Sequence, residues 1–168
     1  MSHTVTGSFA SAYYGTPRST QDIDIVIGAT QAQLRGFVQS LPDGQYYADL
    51  DAALQAHKAE SMFNVIDLST GWKIDFIIRK SRPFSREEFS RRVRVDLQGV
   101  FPFLASAEDI LIAKLEWSKL ARSQRQIEDA VSILRARGQT LDRSYIGRWA
   151  SELRLEAEWS IVQDPARI

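Results

Sequence analysis

Two pieces of one stretch decide the fold: Thr6-Gly7-Ser8, and, after a short apolar segment, Arg18-Ser19-Thr20-Gln21-Asp22-Ile23-Asp24-Ile25-Val26-Ile27. Asp22 and Asp24 alternate with Ile23 and Ile25. Only an extended chain sends both acids to one side and both isoleucines to the other, so residues 22–27 are expected to form a strand. Two like charges on one strand face repel unless a cation sits between them, and the pair therefore reads first as a metal site. Upstream, residues 3–6 resemble the end of a strand. Gly7 lets backbone amides approach a ligand, and Ser8 is placed to cap a helix starting at Phe9 and to offer its hydroxyl to a phosphate. Gly7-Ser8 alone is also an ordinary strand-to-helix turn. Its spacing to the acids makes it a candidate phosphate cradle.

After the acidic strand, Thr30 is expected to cap a helix to Leu41 with Leu34, Phe37, Val38 and Leu41 on one face, and Pro42-Asp43-Gly44 breaks it. A second helix is expected over 50–60. Phe63–Leu68 and Trp72–Ile78 then read as two strands joined by the turn Ser69-Thr70-Gly71. The second strand carries a third acid, Asp75, opposite the apolar Ile74, Phe76 and Ile78. Lys73 shares the face of Asp75, where it either neutralises the site or meets a phosphate. Asp67 is expected to be a structural partner in the hairpin. Residues 79–94 are charged, with Arg86, Arg91, Arg92 and Arg94 forming a dense basic run whose plain reading is a solvated surface. A short helix over 85–91 and one or two strands within 93–104, broken by Gly99 and Pro102, complete this half. Beyond Ala105 the pattern is helical: 108–120 capped by Ser106, 124–137 stopped by Gly138, and 142–153. The expected class is α+β, a mixed β-sheet core with flanking helices over 1–104 and a small helical C-terminal lobe over 105–168 packed on it.

Three acids on two neighbouring strands suit Mg²⁺ or Mn²⁺ chemistry on a nucleoside triphosphate, because hard cations take oxygen ligands and leave positions for phosphate oxygens. Asp22 and Asp24 would hold the metal riding on the triphosphate, and Asp75 would complete a second site. A metal phosphoesterase uses acids on strands as well; the Gly7-Ser8 turn before the acidic strand favours nucleotide chemistry.

The chain resembles the nucleotidyltransferase superfamily with the DNA polymerase β-like fold through Gly7-Ser8, Asp22-x-Asp24 and Asp75. More narrowly, Gly7-Ser8-Phe9-Ala10-Ser11, Tyr14-Gly15, Arg18-x-Thr20-x-Asp22-Ile23-Asp24 and Lys73-Ile74-Asp75 are similar to small bacterial nucleotidyltransferases related to abortive-infection toxins, which brings toxin-antitoxin systems into view. Ser106-x-Glu108-Asp109-x-x-x-x-Lys114-Leu115-x-Trp117 and Arg125-Gln126-x-x-Asp129 extend the resemblance over nearly the whole chain. It implies metal binding by Asp22, Asp24 and Asp75, triphosphate contacts from Gly7 and Ser8, and transfer of a nucleoside monophosphate to an RNA end, a protein or a small molecule with release of pyrophosphate. Arg18 either reaches a phosphate or anchors the loop before the strand. Lys114 leaves from an apolar helical stripe, so its ammonium either snorkels out or meets an acid, the carboxylate cluster or the triphosphate being the candidates. Arg125 and Asp129, four apart, are expected to pair with each other. The rival function is a catalytically silent binding module or antitoxin-like regulator that kept the fold.

Composition bounds the rest. The chain has 168 residues, 44% of them apolar, enough for one core and a small second lobe. Lys plus Arg equals Asp plus Glu at 21 each, so no global field draws the molecule to nucleic acid or membrane. There is no cysteine, which excludes disulfides and thiolate chemistry, and two histidines are too few for a histidine zinc cluster. No apolar run approaches a membrane span and no signal-peptide pattern opens the chain, so a cytoplasmic protein is expected. Relatives of this fold usually carry a helix ahead of the first strand. Only a few residues precede Gly7 here, so either the gene start lies upstream of Met1 or one sheet face is uncovered and favours self-association, which makes a homo-oligomer or a neighbouring-gene product the expected partner.

Overall fold

The computed structural model describes residues 1–166. Among them the chain forms a seven-stranded mixed sheet and eight helices. It divides into two units, Met1–Thr6 with Thr20–Leu104, and Gly7–Ser19 with Ala105–Ile168. The second unit therefore takes in the Gly7–Ser19 segment that a simple division at residue 104 leaves with the sheet.

The first unit contains strands β1 (Ser2–Thr6), β2 (Asp22–Gly28), β3 (Tyr46–Ala48), β4 (Met62–Asp67), β5 (Lys73–Ile78), β6 (Val93–Arg94) and β7 (Phe103–Leu104), in the spatial order β3-β4-β5-β2-β1-β7-β6. β2 runs parallel to β5 and antiparallel to β1, and β4 and β5 form an antiparallel hairpin. Alternation has the expected consequence. Ile27, Phe63, Val65, Phe76 and Ile78, with Ile25 and Ile74 packed against them, form a core with Leu34, Ala53 and Ala56. Those last three come from helices α2 (Gln31–Ser40) and α3 (Leu50–Ala59), which cover this face of the sheet.

Local chemistry explains where these elements start and stop. Thr30 caps α2 through a full capping box, its side chain accepting from Gln33 N while the Gln33 side chain accepts from Thr30 N. Asp49 caps α3 by accepting from Ala52 N. In the β4–β5 turn, Asp67 Oδ1 accepts from Ser69 N, Ser69 Oγ and Thr70 N, the structural role expected of it. Helix α4 (Pro83–Ser90) starts with proline at its first position, two residues before the expected start, because a missing N–H costs nothing there. β3 was not anticipated: three residues carry no readable alternation, and its pairing with β4 is what makes it a strand.

The second unit holds α1 (Gly7–Tyr14), α5 (Ala107–Ala121), α6 (Gln124–Arg137), α7 (Arg143–Glu152) and α8 (Glu156–Val162). Its fully buried side chains include Ile110, Leu111, Leu115, Ile133, Ile146 and Leu155. Ser106 caps α5 by accepting from Asp109 N. Just after α1 the chain meets α6: Thr16 N donates to Ser132 Oγ at 3.2 Å, and a Cβ on Gly15 would fall 2.2 Å from that oxygen. α8 was not anticipated. No helix among the described residues is long and apolar enough to cross a membrane.

Candidate active site

In the first unit the parallel register of β2 and β5 places Asp22 opposite Lys73 and Asp24 opposite Asp75. Residues paired in this way share a face, so Asp22, Asp24, Lys73 and Asp75 stand together on the side of the sheet away from α2 and α3. The three acids of the sequence are thus brought to one surface. Asp75 is buried, with 4% of its surface exposed, and both of its oxygens are engaged: Oδ1 accepts from Asn64 Nδ2 at 2.7 Å and Oδ2 from Lys73 Nζ at 2.8 Å. Asn64 reaches it because β4 pairs Asn64 with Asp75. Asp22 Oδ1 accepts from Thr20 Oγ1 at 2.6 Å. Lys73 is held above its usual ammonium range by the bond to Asp75, against the opposing pull of partial burial, with further help from the charges of Asp75, Asp22 and Asp24.

Among the described residues no group of three or more His, Cys, Asp or Glu is gathered tightly enough to hold a metal ion as it stands. The positive charge on this face is supplied by Lys73, whose Nζ sits on one Asp75 oxygen. The donor set nevertheless fits a hard divalent cation, since Asp24 and Asp75 are opposed on adjacent strands, Asp22 lies two residues along the same face, and all three offer only carboxylate oxygen.

The remaining candidates lie in the second unit. The chain leaves β1 at Thr6 and turns at Gly7, whose φ of 64° is a left-handed conformation that favours glycine. The helix begins at Gly7, so Ser8 belongs to its first turn and does not cap it. Ser8 Oγ instead accepts from Arg18 Nη2 at 2.6 Å. Arg18 also grips Asp129 with both arms of its fork, Nε to Oδ1 at 3.0 Å and Nη2 to Oδ2 at 2.9 Å. Lys114 Nζ meets the same Asp129 Oδ2 at 2.8 Å, and its side chain is only 5% exposed. The acid that Lys114 meets is thus Asp129, a third choice beside the two expected. It is also Arg18, from the segment after α1, and Lys114, from α5, that pair with Asp129, and not Arg125 one turn away on α6, which is exposed. Helical spacing makes Arg125 a neighbour; burial and tertiary contact choose the partners. Burial works against the Asp129 charge, but the bonds from Arg18 and Lys114 outweigh it and hold the carboxyl below its ordinary value.

Sequence reasoning missed two supporting residues. Thr20 and Asn64 hold Asp22 and Asp75, and their signal was present: each is a small polar side chain at the edge of, or inside, an otherwise apolar strand pattern.

With this geometry in hand, the chain can be placed among known folds. It has the α+β nucleotidyltransferase fold, a mixed sheet with helices followed by a helical unit. Superposed on an antigenic nucleotidyltransferase-like protein from Paracoccidioides brasiliensis, it aligns over 96% of its own length and 84% of that chain, with a TM-score of 0.56 and 15% identity. Against the antibiotic-resistance factor ANT(2'')-Ia, whose conformational dynamics are regulated by substrate, the coverage is 94% and 84%, the TM-score 0.54 and the identity 11%. No protein-family model matches the sequence. No curated protein matches it significantly. The likeness is one of fold, and the assignment of chemistry rests on the residues of this chain.

Proposed function

We propose that this chain transfers a nucleoside monophosphate from a nucleoside triphosphate to an acceptor, releasing pyrophosphate, with Mg²⁺ or Mn²⁺ as the metal. The observation that carries the reading is the register that sets Asp24 beside Asp75 with Asp22 on the same face. Asp22, Asp24 and Asp75 would hold the metal, which when bound would offset the charge of the triphosphate and acidify an acceptor hydroxyl. Thr20 and Asn64 orient Asp22 and Asp75 through the hydrogen bonds described above. Lys73 offsets one of the three carboxylate charges until substrate arrives, and its ammonium then has a phosphate to turn to. In the second unit, Gly7 and Ser8 are assigned to the triphosphate. Arg18 sets the Ser8 hydroxyl and has a partly exposed guanidinium for a phosphate, while Lys114 secures Asp129 behind it. In the reaction, an acceptor oxygen forms a bond to the α-phosphorus as the bond from that phosphorus to the bridging oxygen breaks, and the acceptor proton passes to solvent.

The bond from Lys73 to Asp75 favours a second reading, a binding module in which the lysine permanently replaces the metal. One experiment separates the two. Wild type and Asp24→Asn are titrated with Mn²⁺ and labelled nucleoside triphosphate, following water-proton relaxation and ligand retention. The proposal expects metal-dependent triphosphate binding in the wild type and at least a tenfold loss in Asp24→Asn, about 1.4 kcal/mol. Equal behaviour of the two proteins sinks it and leaves the binding module.

A further inference from the structure

The basic run that sequence alone reads as a solvated surface is built into something more specific. Residues 79–96 carry seven Lys or Arg against three Asp or Glu, a local excess of +4 in a chain with no net charge. β6 and β7 continue beyond their paired residues into a longer hairpin, with Val95 N bonded to Pro102 O and Leu97 paired with Val100. Its tip, Gln98-Gly99, has φ of 55° and 89°, the two left-handed residues of a tight hairpin turn. β6 is the outer strand of the sheet, so this hairpin forms its edge.

The arginines here alternate with rings. Arg79 lies 5.3 Å and Arg92 4.5 Å from the centre of Phe89, and Arg92 also lies 5.1 Å from Phe103. Arg94, paired with Phe103 across the hairpin, lies 5.1 Å from Phe101. Phe89 is buried and anchors the ladder, whereas Phe101 and Phe103 remain 51% and 36% exposed. Burying two exposed phenylalanines elsewhere would favour folding; on this edge each ring has an arginine over it and keeps part of its surface in solvent. Their Cα atoms are two residues apart on an extended chain, about 7 Å.

We propose that this ladder is a docking surface for single-stranded nucleic acid, the bases stacking on Phe101 and Phe103 and the phosphates following Arg79, Arg92 and Arg94. Charge complementarity and exposed rings together select this partner: a polyanion alone needs no rings, and an apolar partner gains nothing from the arginines. The surface stands whether or not the acidic face transfers nucleotides.

The test is fluorescence anisotropy of a labelled 12-nucleotide oligoadenylate with the full chain at several salt concentrations. Binding should weaken as salt rises, and Arg94→Ala should reduce the logarithmic salt slope by about 0.7. Phe101→Ala should weaken binding by roughly fivefold or more, the loss of one stacked base, while leaving the salt slope unchanged. Both side chains are exposed, so thermal melts of the variants should match wild type; Arg94→Glu serves as a second charge variant and should abolish binding at low salt. The proposal is overturned if the oligonucleotide does not bind at low salt, if Phe101→Ala binds as wild type does, or if a duplex of the same length or an oligoglutamate of equal charge binds as tightly, since neither presents a base face to the rings.

Discussion

Asp129→Asn removes the charge that holds two cations in the helical unit, and its cost follows from where those cations sit. Lys114 is 5% exposed and Arg18 24% exposed, and Asp129 itself is 9% exposed. Without the carboxylate, Arg18 can turn to water, but the Lys114 ammonium is left buried beside a neutral amide. Breaking a buried pair from one side costs about 3–5 kcal/mol. The Asn oxygen still accepts one bond, so the lower end applies, and for a chain of this size roughly 3 kcal/mol lowers the melting temperature by about 6–12 °C. Lys114→Met should be milder, about 1–2 kcal/mol, because Asp129 keeps the two-armed grip of Arg18 and the stem is replaced by apolar volume. The double variant should then be no less stable than Asp129→Asn alone, since no buried ammonium remains to be stranded. pH adds an independent signature. The Asp129 carboxyl is held below its unfolded value of 3.8, so its contribution is fully present above that value and is lost as pH falls through the lower folded one. The gap in melting temperature between wild type and Asp129→Asn should therefore stay constant from neutral pH to about pH 5 and close below about pH 4. Calorimetry across that range reads both effects. Lys114→Met melting lower than Asp129→Asn, or a gap that persists at the acid end, would show that the stranded Lys114 ammonium is not what the substitution costs.

Two further substitutions probe the same unit. Gly15→Ala puts a Cβ 2.2 Å from Ser132 Oγ and 3.0 Å from Ile133 N, and because backbone cannot give way it should cost about 1–3 kcal/mol in urea unfolding, with Ser132→Ala recovering only part of the loss. Tyr145→Phe removes the hydroxyl that donates to Asp109 Oδ1 at 2.6 Å, deep in the core, while Ser106 Oγ still serves Oδ2; a loss of about 1–3 kcal/mol is expected, and a variant as stable as wild type would show that this bond is replaced elsewhere.

The acids were legible from the start because strand alternation is a local property. Asp22-Ile23-Asp24-Ile25 can satisfy a buried face and a polar face only as a strand, and the same holds for Ile74-Asp75-Phe76. Helices α2, α5 and α6 were legible for the corresponding reason, their apolar spacing being set by the chain itself and their starts by Thr30 and Ser106, with α6 matching its expected bounds. The short pieces β3 and α8 were not, since three and seven residues hold too little periodicity to outweigh coil. The Asp129 cluster illustrates the limit most directly. Arg125 is its neighbour by helical spacing, yet Arg18, 111 residues away, and Lys114 take the carboxylate, because a buried acid is satisfied by whichever cations the packing brings to it.

Local sequence sets three carboxylates on the polar faces of two strands, a glycine turn before the first of them, and a helical C-terminal third. Each of these depends on neighbours within a few residues. Tertiary structure alone decided that Asp24 stands beside Asp75, that Lys73 and Asn64 occupy the two Asp75 oxygens, that Gly7–Ser19 joins the helices, and that scattered arginines and phenylalanines become one ladder at the sheet edge. Register and burial are properties of which strands pair and which helices cover them, and no window of local sequence contains that choice.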